Sequence, residues 1–175
     1  QFKLKTRFNE ANELTLLGLA GIDNMRLNKD AEEEDAQYIL GYLPKIQQET
    51  FTVGGVYKHY AGHHVQSLVL SHSYLNNRNT KYLNNDESNE EMLSLKLRSK
   101  EQETKLRLEN SSVWGSTRLS YGANMEYAQY GNRTYQKRFT GSEQVVNYRT
   151  WIDMIKWGAF VKATYESDDD RFSAS

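Results

Sequence analysis

"TFTVGGVYKHYAGHHVQSLVLSHSYL", residues 50–75, decides the fold class. Phe51, Val53, Gly55 and Tyr57 alternate with Thr52, Gly54, Val56 and Lys58. A period of two sends successive side chains to opposite faces of an extended strand. "AGHH" (61–64) reads as a tight turn and "VQSLVLSHSYL" (65–75) as the returning strand. Two such runs joined by so short a link form an antiparallel hairpin.

The same texture spreads outward in both directions. "FKLKTRF" (2–8) groups Phe2, Leu4 and Phe8, and a Gly-rich run of mixed spacing follows from Leu14 to Leu27. "TRLSYGANMEYAQY" (117–130) puts Leu119, Tyr121, Ala123, Met125 and Tyr127 on one face. Apolar and polar residues alternate from Trp157 to Tyr165, and a second alternating run begins at Arg171 beyond a turn at Asp168–Asp170. "AQYILGYLPKIQQ" (36–48) suits either a short helix or an extended loop, and "SSVWGS" (111–116) reads as a turn. Leu93, Leu95 and Leu97 are at odd positions, whereas Leu106 and Leu108 are at even ones. That change of phase predicts a bulge or turn between Ser99 and Thr104.

Composition fits extended structure. The 175 residues suffice for one ordinary domain. Mean hydropathy is -0.81, low for a chain with a large sealed core. Yet 12% of residues are aromatic, including 12 Tyr, which argues against disorder. Many Tyr beside few aliphatics suit sheets with one wet face. The single Pro, Pro44, suits long strands. The absence of Cys excludes disulfides, thiolate metal sites and Cys nucleophiles. A net charge of -1 argues against a nucleic-acid partner. No stretch approaches the ~20 apolar residues of a membrane helix, a test that transmembrane strands escape.

Turn lengths carry a further signal. Short breaks at 9–12, 61–64, 111–116 and 167–170 alternate with long polar ones at about 29–48, 76–91 and 131–149. Outer-membrane barrels have this asymmetry, with short periplasmic turns and long external loops. The runs 50–60, 64–75, 117–130 and 151–166 reach the ~9–11 residues that a tilted strand needs to cross a bilayer. Tyr60, Tyr74, Tyr130, Trp151 and Tyr165 at strand ends suit interfacial girdles. The expected fold is therefore all-β: an antiparallel up-and-down meander of about eight strands, part of a transmembrane β-barrel.

Residues 50–88, "RLSYGANMEYAQYGNRTYQKR" (118–138) and "MIKWGAFVKATYES" (154–167) resemble the barrel domain of TonB-dependent outer-membrane receptors. The resemblance covers nearly the whole chain and rests on texture and loop order. It implies a 22-stranded barrel, a plug domain in the lumen, and uptake of a siderophore, cobalamin or oligosaccharide driven through TonB. Residues 1–175 would then be a partial barrel domain, with the plug and the remaining strands absent. The implied location is the bacterial outer membrane. The implied partners are outer-membrane lipid and lipopolysaccharide, TonB through the missing plug, and the transported ligand. A piece of barrel wall in water is expected to self-associate, because its edges and apolar face stay open. The rival reading is a soluble module, either a closed eight-stranded barrel or a carbohydrate-binding sandwich. Facing direction separates the two, since apolar side chains point outward in a membrane barrel and inward in a soluble one.

Individual residues say less. All four histidines, His59, His63, His64 and His72, fall within fourteen positions, and the three that flank one turn, His59, His63 and His64, are candidate metal ligands if that turn brings them together. Otherwise they are polar residues of a turn and a wet face. Two acidic groups, Asp30, Glu32–Asp35 and Asp86, Glu87, Glu90, Glu91, suit a divalent cation or plain solvated loops. No motif of a catalytic nucleophile, zinc protease or phosphate loop occurs, so no enzyme, catalytic residue or cofactor is expected. Aromatics at alternating positions suit sugar stacking or contact with lipid. No ligand-binding residue can be named from the sequence.

Overall fold

Strands follow one another across the sheet in chain order, each antiparallel to the next. They are β1 (Phe2–Asn9), β2 (Asn12–Met25), β3 (Lys45–Ala61), β4 (His64–Tyr82), β5 (Leu93–Trp114), β6 (Thr117–Arg138), β7 (Gln144–Glu166) and the two-residue β8 (Ser173–Ala174). An α-helix, α1 (Glu34–Leu40), lies between β2 and β3. The computed structural model describes residues 1–30, 32–138 and 144–166, and the backbone of 173–174. The all-β antiparallel meander expected from the alternation is the observed architecture. The order is linear, and no pairing of β1 with β8 closes it among the described residues.

Hairpin chemistry sets one end of the sheet. Gly62 and Gly115 occupy the first central position of the β3–β4 and β5–β6 turns, with φ of 59° and 53°. That left-handed backbone is what a two-residue turn of the II′ kind requires of its first residue. At the other end the connections are long, residues 26–44 and 83–92. The short–long order is thus present where both connections are described. The expected tip at Asp168–Asp170 lies outside the described residues.

Several strands are longer than the alternation indicated. β4 continues to Tyr82, β6 to Arg138, and β7 begins at Gln144, so most of the expected loop at 131–149 is ladder. Polar side chains on both faces erase the hydropathy signal there. Backbone pairing continues regardless, with Asn76–Thr80 opposite Lys96–Lys100. With 22 residues, β6 extends about 70 Å along its axis at ~3.3 Å per residue. That is about twice what a tilted strand needs to cross ~30 Å of hydrocarbon.

The expected break between Ser99 and Thr104 is absent. β5 runs unbroken, and its only register shift lies at Lys81/Tyr82 of β4. Leu95 and Leu97 occupy one face and Leu106 and Leu108 the other, because the two halves of β5 meet different surroundings. Trp114, read as part of a turn, is the last residue of β5. The ambiguous stretch after Ala36 resolves into α1, with Glu34 and Asp35 in the first turn, where carboxylates suit the helix dipole.

No hydrophobic side chain is buried among the described residues. The buried residues are Gly18, Asn76, Ser112 and Thr134. This single layer has no core, and its coherence comes from backbone ladders and cross-strand pairs.

Replacing Gly115 with Ala is expected to cost about 1–2 kcal/mol, because a Cβ is strained at positive φ. His63→Ala, at an exposed turn position with ordinary φ, is expected to stay within about 0.5 kcal/mol. Urea unfolding of the protein in detergent micelles, followed by tryptophan fluorescence, measures both.

Candidate functional site: two faces of one sheet

Register makes the two faces explicit. Leu4, Leu16, Gly55, Leu70, Leu106, Met125 and Trp157 are successive cross-strand partners across β1 to β7. Every residue in that row is apolar or glycine. Neighbouring rows on this face add Leu14, Tyr57, Leu68, Leu108, Ala123 and Ala159 on one side, and Phe2, Val53, Tyr127 and Ile155 on the other. Trp157 is 82% exposed, Ile22 79% and Val161 76%. So large a contiguous apolar surface is foreign to a soluble monomer.

One residue along, the face changes character. Lys105, Glu126 and Lys156 are cross-strand partners on β5, β6 and β7. Lys156 donates to Glu126 at 2.8 Å, and Lys105 lies 2.7 Å from Glu103 and 3.6 Å from Glu126. Arg107 bonds Glu109 at 2.7 Å and stacks over the Phe160 ring, 5.5 Å from its centroid. Lys5–Glu13 at 3.1 Å and the Ser111–Ser120 hydroxyl pair at 3.1 Å extend the polar face. A depression there is lined by Ser71, Lys105, Arg107, Asn124, Glu126 and Phe160. The face also carries apolar residues, among them Leu17, Leu19, Val56, Val69, Val113, Ile152, Met154 and Phe160.

Aromatic residues mark the margins of the apolar band. Phe51 and Tyr74 stack at 5.3 Å near its upper edge, and Trp114 meets His64 edge-on at the lower turn. Tyr74, Trp151 and Tyr165 lie on the apolar face, as girdle residues would. Tyr60 and Tyr130, expected in the same girdles, are on the polar face. Arg7 covers the Tyr60 ring, and Asn132 donates to the Tyr130 hydroxyl at 3.1 Å. The alternation itself dictates their placement, since both fall at even positions of strands whose odd positions are apolar.

The histidines do not converge. His59 Nδ1 meets Asn12 Oδ1 at 2.9 Å, His64 Nδ1 meets Ser112 Oγ at 2.6 Å, and His72 Nδ1 meets Thr104 Oγ1 at 3.0 Å. His63 occupies the turn. Among the described residues no group of three His, Asp or Glu side chains is arranged to hold a metal ion. The gathering of His59, His63 and His64 does not occur, because His59 and His64 each take a cross-strand partner and His63 stands exposed in the turn.

One acidic loop residue, Glu87, acts as a tie. Glu87 takes Lys29 at 2.9 Å and Lys45 in a short ion pair, joining the 26–44 and 83–92 connections. Lys81 donates to the Gly41 carbonyl, and Asn85 to the Leu40 carbonyl at 3.3 Å, which satisfies the end of α1. Asp86 accepts from the Ser88 hydroxyl at 2.6 Å. Sequence reasoning missed this tie and the Lys105–Glu126–Lys156 row, because both depend on register between distant segments.

Hydrogen bonds from Lys45 and Lys29 hold the Glu87 carboxyl below its ordinary range. A depressed carboxylate stabilises the fold above its unfolded pKa and loses that contribution as pH falls through the folded value. Protease cleavage within 83–92 is therefore expected to accelerate as pH drops below the ordinary carboxylate range, and Glu87→Gln is expected to flatten the profile. A profile unchanged by that substitution contradicts the tie.

No known protein-family model matches this chain, and no curated protein matches it.

Proposed function

We propose that the chain forms part of the wall of a transmembrane β-barrel in a bacterial outer membrane. We further propose that the barrel is that of a TonB-dependent receptor taking up a scarce ligand such as a siderophore, cobalamin or oligosaccharide. One observation carries the first step. At the same height on the same three strands, Leu106, Met125 and Trp157 line one face while Lys105, Glu126 and Lys156 line the other. Lipid suits the first set and a water-filled lumen the second. The tight turns at one end and long connections at the other fit periplasmic and external sides. A closed soluble barrel or a sandwich would hide the apolar face, whereas among the described residues the sheet is open and no hydrophobic side chain is buried.

The receptor step is supported by the sequence texture of 50–88, 118–138 and 154–167. On this reading, strands of a longer chain close the barrel, a plug domain couples it to TonB, and the transported ligand meets the polar face.

Leu106→Arg is expected to destabilise the protein in phosphatidylcholine vesicles by about 2–4 kcal/mol, the cost of a cation near the bilayer midplane. Asn124→Arg, on the polar face, is expected to change stability by under about 1 kcal/mol. Equal losses at both positions contradict the barrel. Uptake by cells making the full-length protein is expected to stop when TonB is removed. Uptake that persists contradicts the receptor assignment alone.

A further inference from the structure

Towards the long connections, register joins one further row on the polar face. Gln48 of β3, Asn77 of β4, Ser99 of β5, Asn132 of β6 and Thr150 of β7 are successive cross-strand partners. All five side chains are uncharged amides or hydroxyls. At ~4.8 Å per strand the row runs about 19 Å across the sheet. Thr134 donates to Asn132 Oδ1 at 2.7 Å, and Asn132 donates to the Tyr130 hydroxyl at 3.1 Å. Those bonds fix the amide and leave its second N–H to spare. Asn77 Oδ1 and, one row above, Asn79 Oδ1 accept no hydrogen bond. Among the described residues neither the Ser99 nor the Thr150 hydroxyl bonds another side chain. Facing hydroxyls can bond each other across strands, as Ser111 and Ser120 do lower on this face. Here the protein leaves that bonding capacity unused.

The surroundings select the occupant. Leu75, Tyr130 and Ile152 lie in the row below, and Leu97 and Tyr148 in the row above. From the Ser73 row to the Asn79 row this face carries the carboxylates Asp23, Glu101 and Glu103, and no Lys or Arg among the described residues. Lys81, one row further, is taken by the Gly41 and Leu43 carbonyls. Four arginines do stand at this level, Arg78, Arg98, Arg133 and Arg149 in one cross-strand row, but on the opposite face. An anion on the polar side therefore meets none of the cations that hold anions elsewhere. A sugar hydroxyl both donates and accepts, as amides and hydroxyls do. The apolar faces of sugar rings suit the flanking tyrosines and leucines.

Resting on the receptor reading above, we propose that the Gln48–Asn77–Ser99–Asn132–Thr150 row binds an uncharged oligosaccharide, and that this is the class of ligand transported. Ferric catecholate and carboxylate siderophores are anions and cobalamin carries a phosphodiester, so neither finds a counter-charge on this stretch of wall.

The test solubilises the protein in a detergent without a sugar headgroup and applies it to an array of neutral and acidic oligosaccharides. Calorimetry then titrates the captured oligosaccharides, a ferric catecholate and cyanocobalamin. Neutral oligosaccharides are expected to be captured, and acidic ones, the ferric complex and cyanocobalamin are expected not to bind. Ser99→Ala with Thr150→Val removes two hydroxyls from the row. At about fivefold per hydrogen bond, affinity is expected to fall about 25-fold. Gln102→Ala, on the opposite face, is expected to leave affinity unchanged. Capture of no neutral oligosaccharide, tighter binding of an acidic one, of the ferric complex or of cyanocobalamin, or full affinity in the double variant overturns the proposal and leaves the receptor reading standing. The receptor reading falls on a different result, uptake that persists without TonB.

Discussion

Strands β2 to β7 send alternate side chains to two faces of different chemistry. The constraint is geometric, because the pleat fixes a period of two and the register locks each residue to its neighbours. A slip of one residue in β6 would carry Glu126 into the Leu106–Trp157 row and Met125 into the place of Asn124, between Arg107 and Gly158. The continuous ladders from β2 to β7 are what prevent it. Neither face packs on a second layer, so the surroundings of the sheet set which registers are tolerable.

Magnitudes bear on the lipid and water surroundings proposed above. Moving a Leu or Met side chain out of water is worth about 1.5–3 kcal/mol, and the apolar face offers many. Placing a cation at the bilayer midplane costs about 2–4 kcal/mol, and the other face carries Lys105 and Lys156 at that same height. Both terms favour lipid on one side and water on the other. The reverse arrangement, with apolar residues turned into a closed interior, lacks the second layer it needs. Towards the long-connection end the apolar face gives way to arginines. There the leucines of β5 cross to the opposite side, and a single uninterrupted strand serves two levels.

Much of this was legible in the sequence. Strict alternation at 51–57 and 119–127 announced the strands, and Gly62 marked its turn. The polar extensions of β4, β6 and β7 were not legible, because hydropathy reports where side chains go and not whether the backbone is paired. The phase change in β5 was seen and misread as a bulge, since a local rule cannot tell a kink from a change of environment. Tyr60 and Tyr130 went to the wrong face because strand-end position was used where parity decides. The arginine row was invisible for a different reason. Its members are up to 71 residues apart (149 minus 78), and only the register of three successive strand pairs brings them together.

Site-directed spin labelling along Leu119–Ala128 of β6 in phosphatidylcholine vesicles tests the central claim most directly. The chain has no Cys, so each label site is made by a single substitution. Collision with oxygen, which concentrates in lipid, is expected to peak at 119, 121, 123, 125 and 127. Collision with a water-soluble nickel chelate is expected to peak at 120, 122, 124 and 126. Odd positions shielded from both reagents, as in a packed interior, or a profile with no period of two, would contradict a sheet that stands between lipid and water.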